Sequence, residues 1–313
     1  MTMSFTPANF IAGPAIVTYD GNIIYSKDDI AVNCKPETWD VITSRYGKID
    51  TRAKSLSAEI SLIPCGQIQN LTKFFPYAFA DIGKKIFPVT DLPLVIHSID
   101  GTKYTFARAA LIKMPPLKLA ATDTFFGGMT YLCIRKSAAD PAAADSFVKV
   151  ESAAFTDATF DETKIASPGY TAAYGVAPYA AMESLDGFMI DIGMDIIRDN
   201  VDRFGIVGAR LKSLSASAKF TPIGLTEAEW ATLVALDGAS TILPGQSFGK
   251  AGTDLVITGG TTPLAISCTI HKCGIINSGL NFGEKPRMTE LEFAPKATWT
   301  AGAANPLWTF AVA

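Results

Sequence analysis

The chain is poor in histidine: among its 313 residues only His97 and His271 occur. Histidine is the commonest general base and metal ligand near neutral pH, so most acid–base and metal-assisted chemistry lacks its usual donors here. Cysteine offers no scaffold either. The five residues Cys34, Cys65, Cys133, Cys268 and Cys273 are odd in number and contain no Cys-x-x-Cys pair. A disulfide framework or structural zinc site needs denser, more regular spacing, which leaves buried reduced thiols as the expectation. Positive charge is short as well, with 27 Lys and Arg against 30 Asp and Glu. That balance argues against a broad surface for neutralising phosphates. No stretch approaches the ~18 apolar residues of a membrane span. Residues Met1 to Phe10 carry no positive charge and no long apolar run, so no signal peptide is expected. The reading is a soluble protein made in a reducing cytoplasm, with no membrane partner.

What is present is apolar matter in quantity. Hydrophobic residues make up 48% of the chain and charged residues 18%, enough for sizeable cores. A length of 313 residues favours two domains.

The chain repeats itself. Residues 45–66, RYGKIDTRAKSLSAEISLIPCG, align without a gap to residues 203–224, RFGIVGARLKSLSASAKFTPIG, at an offset of 158. Ten of the 22 positions are identical, including Arg45/Arg203, Gly47/Gly205, Arg52/Arg210 and the Lys-Ser-Leu-Ser-Ala runs from Lys54 and Lys212. Further landmarks follow in order: Asp20-Gly21 with Asp186-Gly187, Leu94-Val95-Ile96 with Leu255-Val256-Ile257, and Met129-Thr130 with Met288-Thr289. Recurrence in one order is the signature of a duplicated unit. The organisation expected is a first domain over 1–136, a linker over 137–177 and a second domain over 178–313. The linker is rich in Ala, Asp, Ser, Thr and Pro, with one short strand near Phe147–Val150. Charge divides unevenly, +4, −4 and −3 over these three segments.

Strand signals dominate each copy. Phe188, Ile190, Ile192, Met194 and Ile196 alternate with Met189, Asp191, Gly193 and Asp195, a period of two. Asp100-Gly101 and Gly259-Gly260 between apolar runs predict hairpins. One helix is expected per copy. Thr226 and Glu229 have capping-box spacing ahead of Trp230, Leu233, Val234 and Leu236. In the first copy Asn70 is the candidate cap and Pro76 limits the helix. The fold class predicted is mainly β: two tandem sandwich or barrel domains, each with one flanking helix. From about Ser26 to Arg52 the periodicity is weak, which predicts a long loop carrying Ile30, Val32, Trp39, Val41 and Ile42. Loops that long are uncommon in compact domains. Its apolar residues pack on their own domain or against another protomer.

The opening Gly13-Pro14-Ala15-Ile16-Val17-Thr18-Tyr19-Asp20-Gly21, the Arg-x-Lys-Ser-Leu-Ser-Ala strand and the Pro-x-Gly before the helix resemble the tail tube (major tail) proteins of long-tailed bacteriophages. The resemblance covers roughly 20–136 and 180–296. It implies a non-enzymatic virion protein without cofactor, assembled in the host cytoplasm and resident in the tail. Its tube domain has two packed sheets, a flanking helix and a long loop reaching the next subunit. A duplicated tube domain implies trimeric rings that mimic hexamers. The rings stack around a tape-measure protein, meet terminator and tail-tip proteins, and later conduct DNA as non-specific cargo. With four wall strands from each half-chain, as in the family, the lumen is a 24-stranded barrel, wider than the 16–18 strands that already leave a water channel. The 137–177 linker is longer than the family pattern, and no immunoglobulin-like decoration domain is evident.

The candidate residues are therefore interface residues. Trp39, Val41 and Ile42 anchor the first long loop, and Ile196, Ile197 and Val201 the second. Arg45 and Arg203 hold matching positions, suited to a neighbour's acid or an ion pair within the domain. A conduit for DNA should not grip phosphates, so Asp186, Asp191 and Asp195 are candidates for a neutral-to-acidic lumen, or for ordinary solvent-facing strand positions. The alternatives are an inner-tube protein of a contractile tail or secretion system, which the duplication disfavours, and a carbohydrate-binding adhesin module, for which no aromatic stripe stands out. Gly245-Gln246-Ser247-Phe248-Gly249 matches a nucleophile-elbow pattern, with Asp254 and His271 following in hydrolase order. Pro244 before it and Lys250-Ala-Gly-Thr after it make it a loop instead.

Overall fold

The computed structural model describes residues 14–66, 71–88, 90–120, 125–134, 147–156, 169–177, 179–201, 205–235, 253–260, 265–277, 289–295 and 307–312. The fold is mainly β, built from antiparallel sheets with two short α-helices among the described residues.

The first half opens with β1 (Ala15–Tyr19) and β2 (Asn22–Tyr25), joined at Asp20-Gly21. β3 (Ala31–Thr43) and β4 (Gly47–Leu62) then form one long hairpin. After α1 (Leu71–Phe74) come β5 (Leu94–Ser98), β6 (Thr102–Phe106), β7 (Arg108–Lys113), β8 (Leu117–Leu119), β9 (Met129–Ile134) and β10 (Val148–Ser152). Two sheets result, one ordered β10-β6-β5-β1-β2 and one ordered β3-β4-β9-β7. They face each other through Val17, Ile60, Leu94 and Tyr131, all buried, with Tyr19 and Tyr131 in ring contact at 4.7 Å.

The second half contains β11 (Tyr170–Tyr174), β12 (Glu183–Ser184), β13 (Phe188–Val201), β14 (Gly205–Phe220), β15 (Pro222–Ile223), α2 (Glu227–Ala235), β16 (Thr253–Gly259), β17 (Ile266–Asn277), β18 (Leu291–Pro295) and β19 (Trp308–Val312). Here one sheet runs β11-β16-β17-β18-β14-β13, with β19 also on β17. β8 of the first half adds to the outer edge of β13, so the sheet crosses from one half to the other. The apolar core is continuous through both halves.

Local chemistry explains the elements. Gly101 takes φ +85 at the expected turn, and the backbone N–H of Thr102 donates to Asp100 at 2.8 Å. β16 and β17 pair up to Gly259↔Ile266, as the Gly-Gly signal predicts. The capping box closes around α2: Glu229 N donates to Thr226 Oγ1 at 3.2 Å, and Thr226 N donates to the Glu229 carboxylate at 2.8 Å. α1 ends at Phe74, two residues before Pro76, because the residue preceding a proline is pushed out of the helical region. The candidate cap Asn70 lies outside the described residues, as does Leu236.

Three expectations are corrected. The stretch 26–52 is not a loop: most of it is the β3–β4 hairpin. Its strand character is hidden because β3 buries none of its residues, so no alternation of apolar and polar residues is required, and Pro36 is tolerated on an edge strand. Two repeat landmarks do not superpose. Asp20-Gly21 turns β1 into β2, whereas Asp186-Gly187 leads into β13. Met129 pairs with Leu62, whereas the matching Phe220 pairs with Leu291, three residues past Met288. Cys34 is exposed, while Cys133, Cys268 and Cys273 are buried; burial pushes the Cys133 and Cys268 thiols far up. Within the 137–177 stretch, the expected short strand is present as β10, which pairs with β6, and β11 pairs with β16.

Candidate assembly surface: two matched hairpin arms

The β3–β4 and β13–β14 hairpins are the same object built twice. The 158-residue offset holds for both strands. In the first arm the register slips between Glu37 and Thr38, and again between Val41 and Ile42. In the second it slips between Asp195 and Ile196, and between Asp199 and Asn200, each 158 residues later. The hairpin ends coincide too, Thr43↔Gly47 and Val201↔Gly205, and both glycines sit at positive φ, +69 and +71. Bulges bend and twist a ribbon at fixed points, and the two arms carry theirs at matching positions.

Their surroundings differ. The second arm is clasped by the first half along both edges. β8 pairs with the start of β13, Phe188↔Leu119 and Ile190↔Leu117. The segment after the 3-10 turn Phe79–Asp81 runs along the outer edge of β14. Gly83 N donates to Leu211 O at 2.7 Å, Leu211 N to Lys84 O at 3.0 Å and Ile86 N to Ala209 O at 3.0 Å. The arm lies over the sheet formed by β4, β9 and β7. Arg198 donates to the Glu59 carboxylate at 2.6 Å, and Asn200 to that of Glu37 at 3.4 Å. A hydrogen bond from Lys35, with Arg198 adding to it, holds the Glu59 carboxyl below its ordinary value against the opposing effect of burial.

The first arm is touched by the second at Glu37 and Glu59, but no strand pairs along its matching outer edges among the described residues. β3 is the outermost strand of its sheet, and β4 pairs with β9 only over Ala58–Leu62. Val32 is 42% exposed where its counterpart Ile190 is fully buried. Trp39, Ile42, Tyr46 and Ile49 are exposed along the outer part of the arm. Trp39 lies under the Arg52 guanidinium, 5.7 Å from its ring centre, and Arg52 also bonds Asp50 at 2.9 Å. Such exposed pairs hold side chains in place more than they stabilise the fold.

Of the predicted residues, Trp39 and Ile42 are exposed on β3 and Val41 is half-buried. Arg45 sits at the tip over the Tyr46 ring at 5.2 Å. Ile196 packs against the core, while Ile197 and Val201 are exposed on β13. Arg203 lies outside the described residues. Asp186, Asp191 and Asp195 are exposed, with Asp191 and Asp195 on the face of β13 opposite Ile190 and Ile192; Asp195 accepts from Ser213 at 3.0 Å. Tyr46 and Ile49, apolar and exposed beside the named anchors, were not singled out in sequence, although the matched repeat contains both positions.

Comparison with protein-family models and with curated proteins finds no match.

The hydrolase pattern divides. Gly245 to Gly249 lie outside the described residues. His271 does face Asp254 at 3.3 Å, and its other ring nitrogen meets Thr309 Oγ1 at 2.7 Å. These three sit on neighbouring strands β16, β17 and β19. This is a cross-strand polar ladder, with Asp254 also accepting from the Lys272 backbone N–H at 2.8 Å. His97 bonds the Ala153 carbonyl at 3.2 Å and stacks edge-on with Phe155, a structural role.

Proposed function

We propose that this chain is a structural protein that self-assembles into stacked rings, forming the tail tube of a long-tailed phage through which DNA passes. The tube domain is carried twice, so three chains make a ring that mimics a hexamer. One observation carries the reading: two hairpin arms of identical bulge pattern, one paired along its outer edges within its own chain and the other, among the described residues, with those edges unpaired. An unpaired, partly apolar strand edge on a large surface arm is a template for pairing with another chain. Solvent is a poor final environment for Trp39, Ile42, Tyr46 and Ile49 together. A contact running from the first half of one chain to the second half of another is head-to-tail. Such contacts close into rings or continue as filaments.

In this reading the tape-measure, terminator and tail-tip proteins are the partners, DNA is non-specific cargo and the virion tail is the location. Asp186, Asp191 and Asp195 are offered as lumen residues. Mapping charge on an assembled tube tests that part, and a lumen rich in Lys and Arg contradicts it. Negative-stain imaging of concentrated protein, alone and seeded with tail-tip complex, tests the whole. Tubes or threefold rings support it; a strictly monomeric species under both conditions overturns it.

A further inference from the structure

We infer that the first half of the chain is closed by its own opening segment: residues 1–13 dock, through Phe5, Phe10 and Ile11, in the groove between the two sheets of that half. The inference is independent of the self-assembly reading, since the partner is a stretch of the same chain.

The groove measures about 1220 Å³ and is the open mouth of the sandwich. Ile96, Tyr104 and Phe106 line it from one sheet, Val32 and Leu62 from the other. Strand register puts Val150, Tyr104, Ile96 and Val17 in one row on one face of their sheet. Val17 and Ile96 are buried in the core, yet Val150 in the same row is 56% exposed. The inner face of the sheet is therefore left partly uncovered.

The matched half shows what fills such a mouth. The offset of 158 sets Ile30 against Phe188 and Leu62 against Phe220, and the two phenylalanine rings meet at 4.9 Å. Strand register sets Ala15, opposite Ser98, against Tyr170, opposite Gly259. Tyr170 is buried, and its ring lies so close over Gly259 that a Cβ there would stand 2.5 Å from it. Three aromatic rings of the second half thus correspond to Ile, Leu and Ala in the first. Among the described residues the first half has no replacement for that bulk, whereas close-packed interiors keep few voids larger than a water molecule.

The chain itself leads to the opening. Pro14 lines the groove, and its carbonyl accepts from the Ile99 N–H at 3.1 Å. Residues 1–13 are joined to the groove at that rim. They include Phe5, Phe10 and Ile11 and no Asp, Glu, Lys or Arg. Ten extended residues span about 33 Å, enough to lay both phenylalanines along the mouth. Two phenylalanines are what the mouth lacks beside its counterpart.

The first test is Phe10→p-benzoylphenylalanine in the full chain. Irradiation should join position 10 to residues 26–32, 61–63 or 96–106, and mixed heavy- and light-isotope chains should show these links within one chain. Links to other regions, or no link in a folded protein, overturn the inference. Links between heavy and light chains put a second copy's segment in the groove and overturn it too. Ala15→Tyr with Ser98→Gly copies the Tyr170–Gly259 pair and fills the mouth from within. Hydrogen exchange at Ala8 to Ile11 should then run at least about tenfold faster than in wild type, because the segment is displaced. Equal rates in the folded variant overturn the inference. Should neither variant fold, the wild type decides: the same amides should exchange at least about tenfold slower than in a free peptide of residues 1–13. Free-peptide rates there overturn the inference.

Discussion

The two arms share their bulges, their hairpin ends and their left-handed glycines, yet the second is far more buried than the first, chiefly along β14. The difference is context. β13–β14 has the first half of its own chain paired along its edges; β3–β4 has no strand paired along the matching edges among the described residues. Burial in this protein is therefore a property of position in a chain of repeated contacts as much as of local sequence. On the proposed self-assembly reading, the arms carry different residues at matching places because one joint forms with folding and the other is left for encounter. Ala209 and Leu211 are fully buried where Thr51 is exposed.

Substitutions that treat the arms unequally should break this comparison in a graded way. Leu211→Pro removes a bond to Lys84 and a buried side chain, and should cost the monomer ~3–5 kcal/mol by thermal or denaturant unfolding. Its counterpart Ala53→Pro should leave monomer stability within ~1 kcal/mol. Equal losses would show that the first arm is covered in solution. Gly187→Ala should be the next most damaging. The residue has φ +84, and a Cβ there would stand 2.5 Å from the Ala120 side chain and 2.8 Å from the Leu119 carbonyl. A loss of ~1–3 kcal/mol is expected, with β8 displaced from β13. Asp29, at the matching place in the first arm, should accept alanine with little change in melting.

Glu59→Gln weakens the tie between the second arm and the first half by about 1 kcal/mol. The pH dependence has a definite sign. Lys35 and Arg198 lower the carboxyl in the folded state, so the ion pair contributes fully above the ordinary glutamate value near 4.5 and is lost as pH falls through the lowered one. Wild type should therefore lose its advantage over the glutamine variant on acidification below about pH 4.5; a constant difference down to pH 3 would contradict it. Smallest for the monomer is Trp39→Ala, within ~0.5 kcal/mol, because the ring is 49% exposed. Its effect should appear in assembly, read by sedimentation. Monomer unfolding with assembly otherwise intact would mean that the ring belongs to the core.

Much of the fold was legible. The Lys-Ser-Leu-Ser-Ala repeat lies on β4 and β14, and its offset fixes even the bulges. The Thr226–Glu229 box and the Asp100-Gly101 turn behave as their chemistry requires, because both depend on near neighbours. What escaped reading depends on distant partners. β3 looks irregular in sequence since its alternation is unneeded without a covering layer. Lys84–Ile86 carries no strand pattern, because it pairs with β14 only once the two halves meet. β11 sits in an Ala- and Asp-rich stretch read as linker, in which only the short strand near Phe147–Val150, found as β10, was expected; edge strands need few apolar residues of their own. For the surface, the anchors on β3 were foreseen as apolar residues needing cover, but not that their matched counterparts would already be covered.

Native mass spectrometry of the protein at rising concentration tests the central claim most directly. Repetition of the intrachain joint between chains, closing at six arms, predicts that the smallest closed species contains three chains and that larger ones are multiples of three. A terminal dimer, or a monomer that persists at every concentration with and without a tail-tip seed, would contradict it.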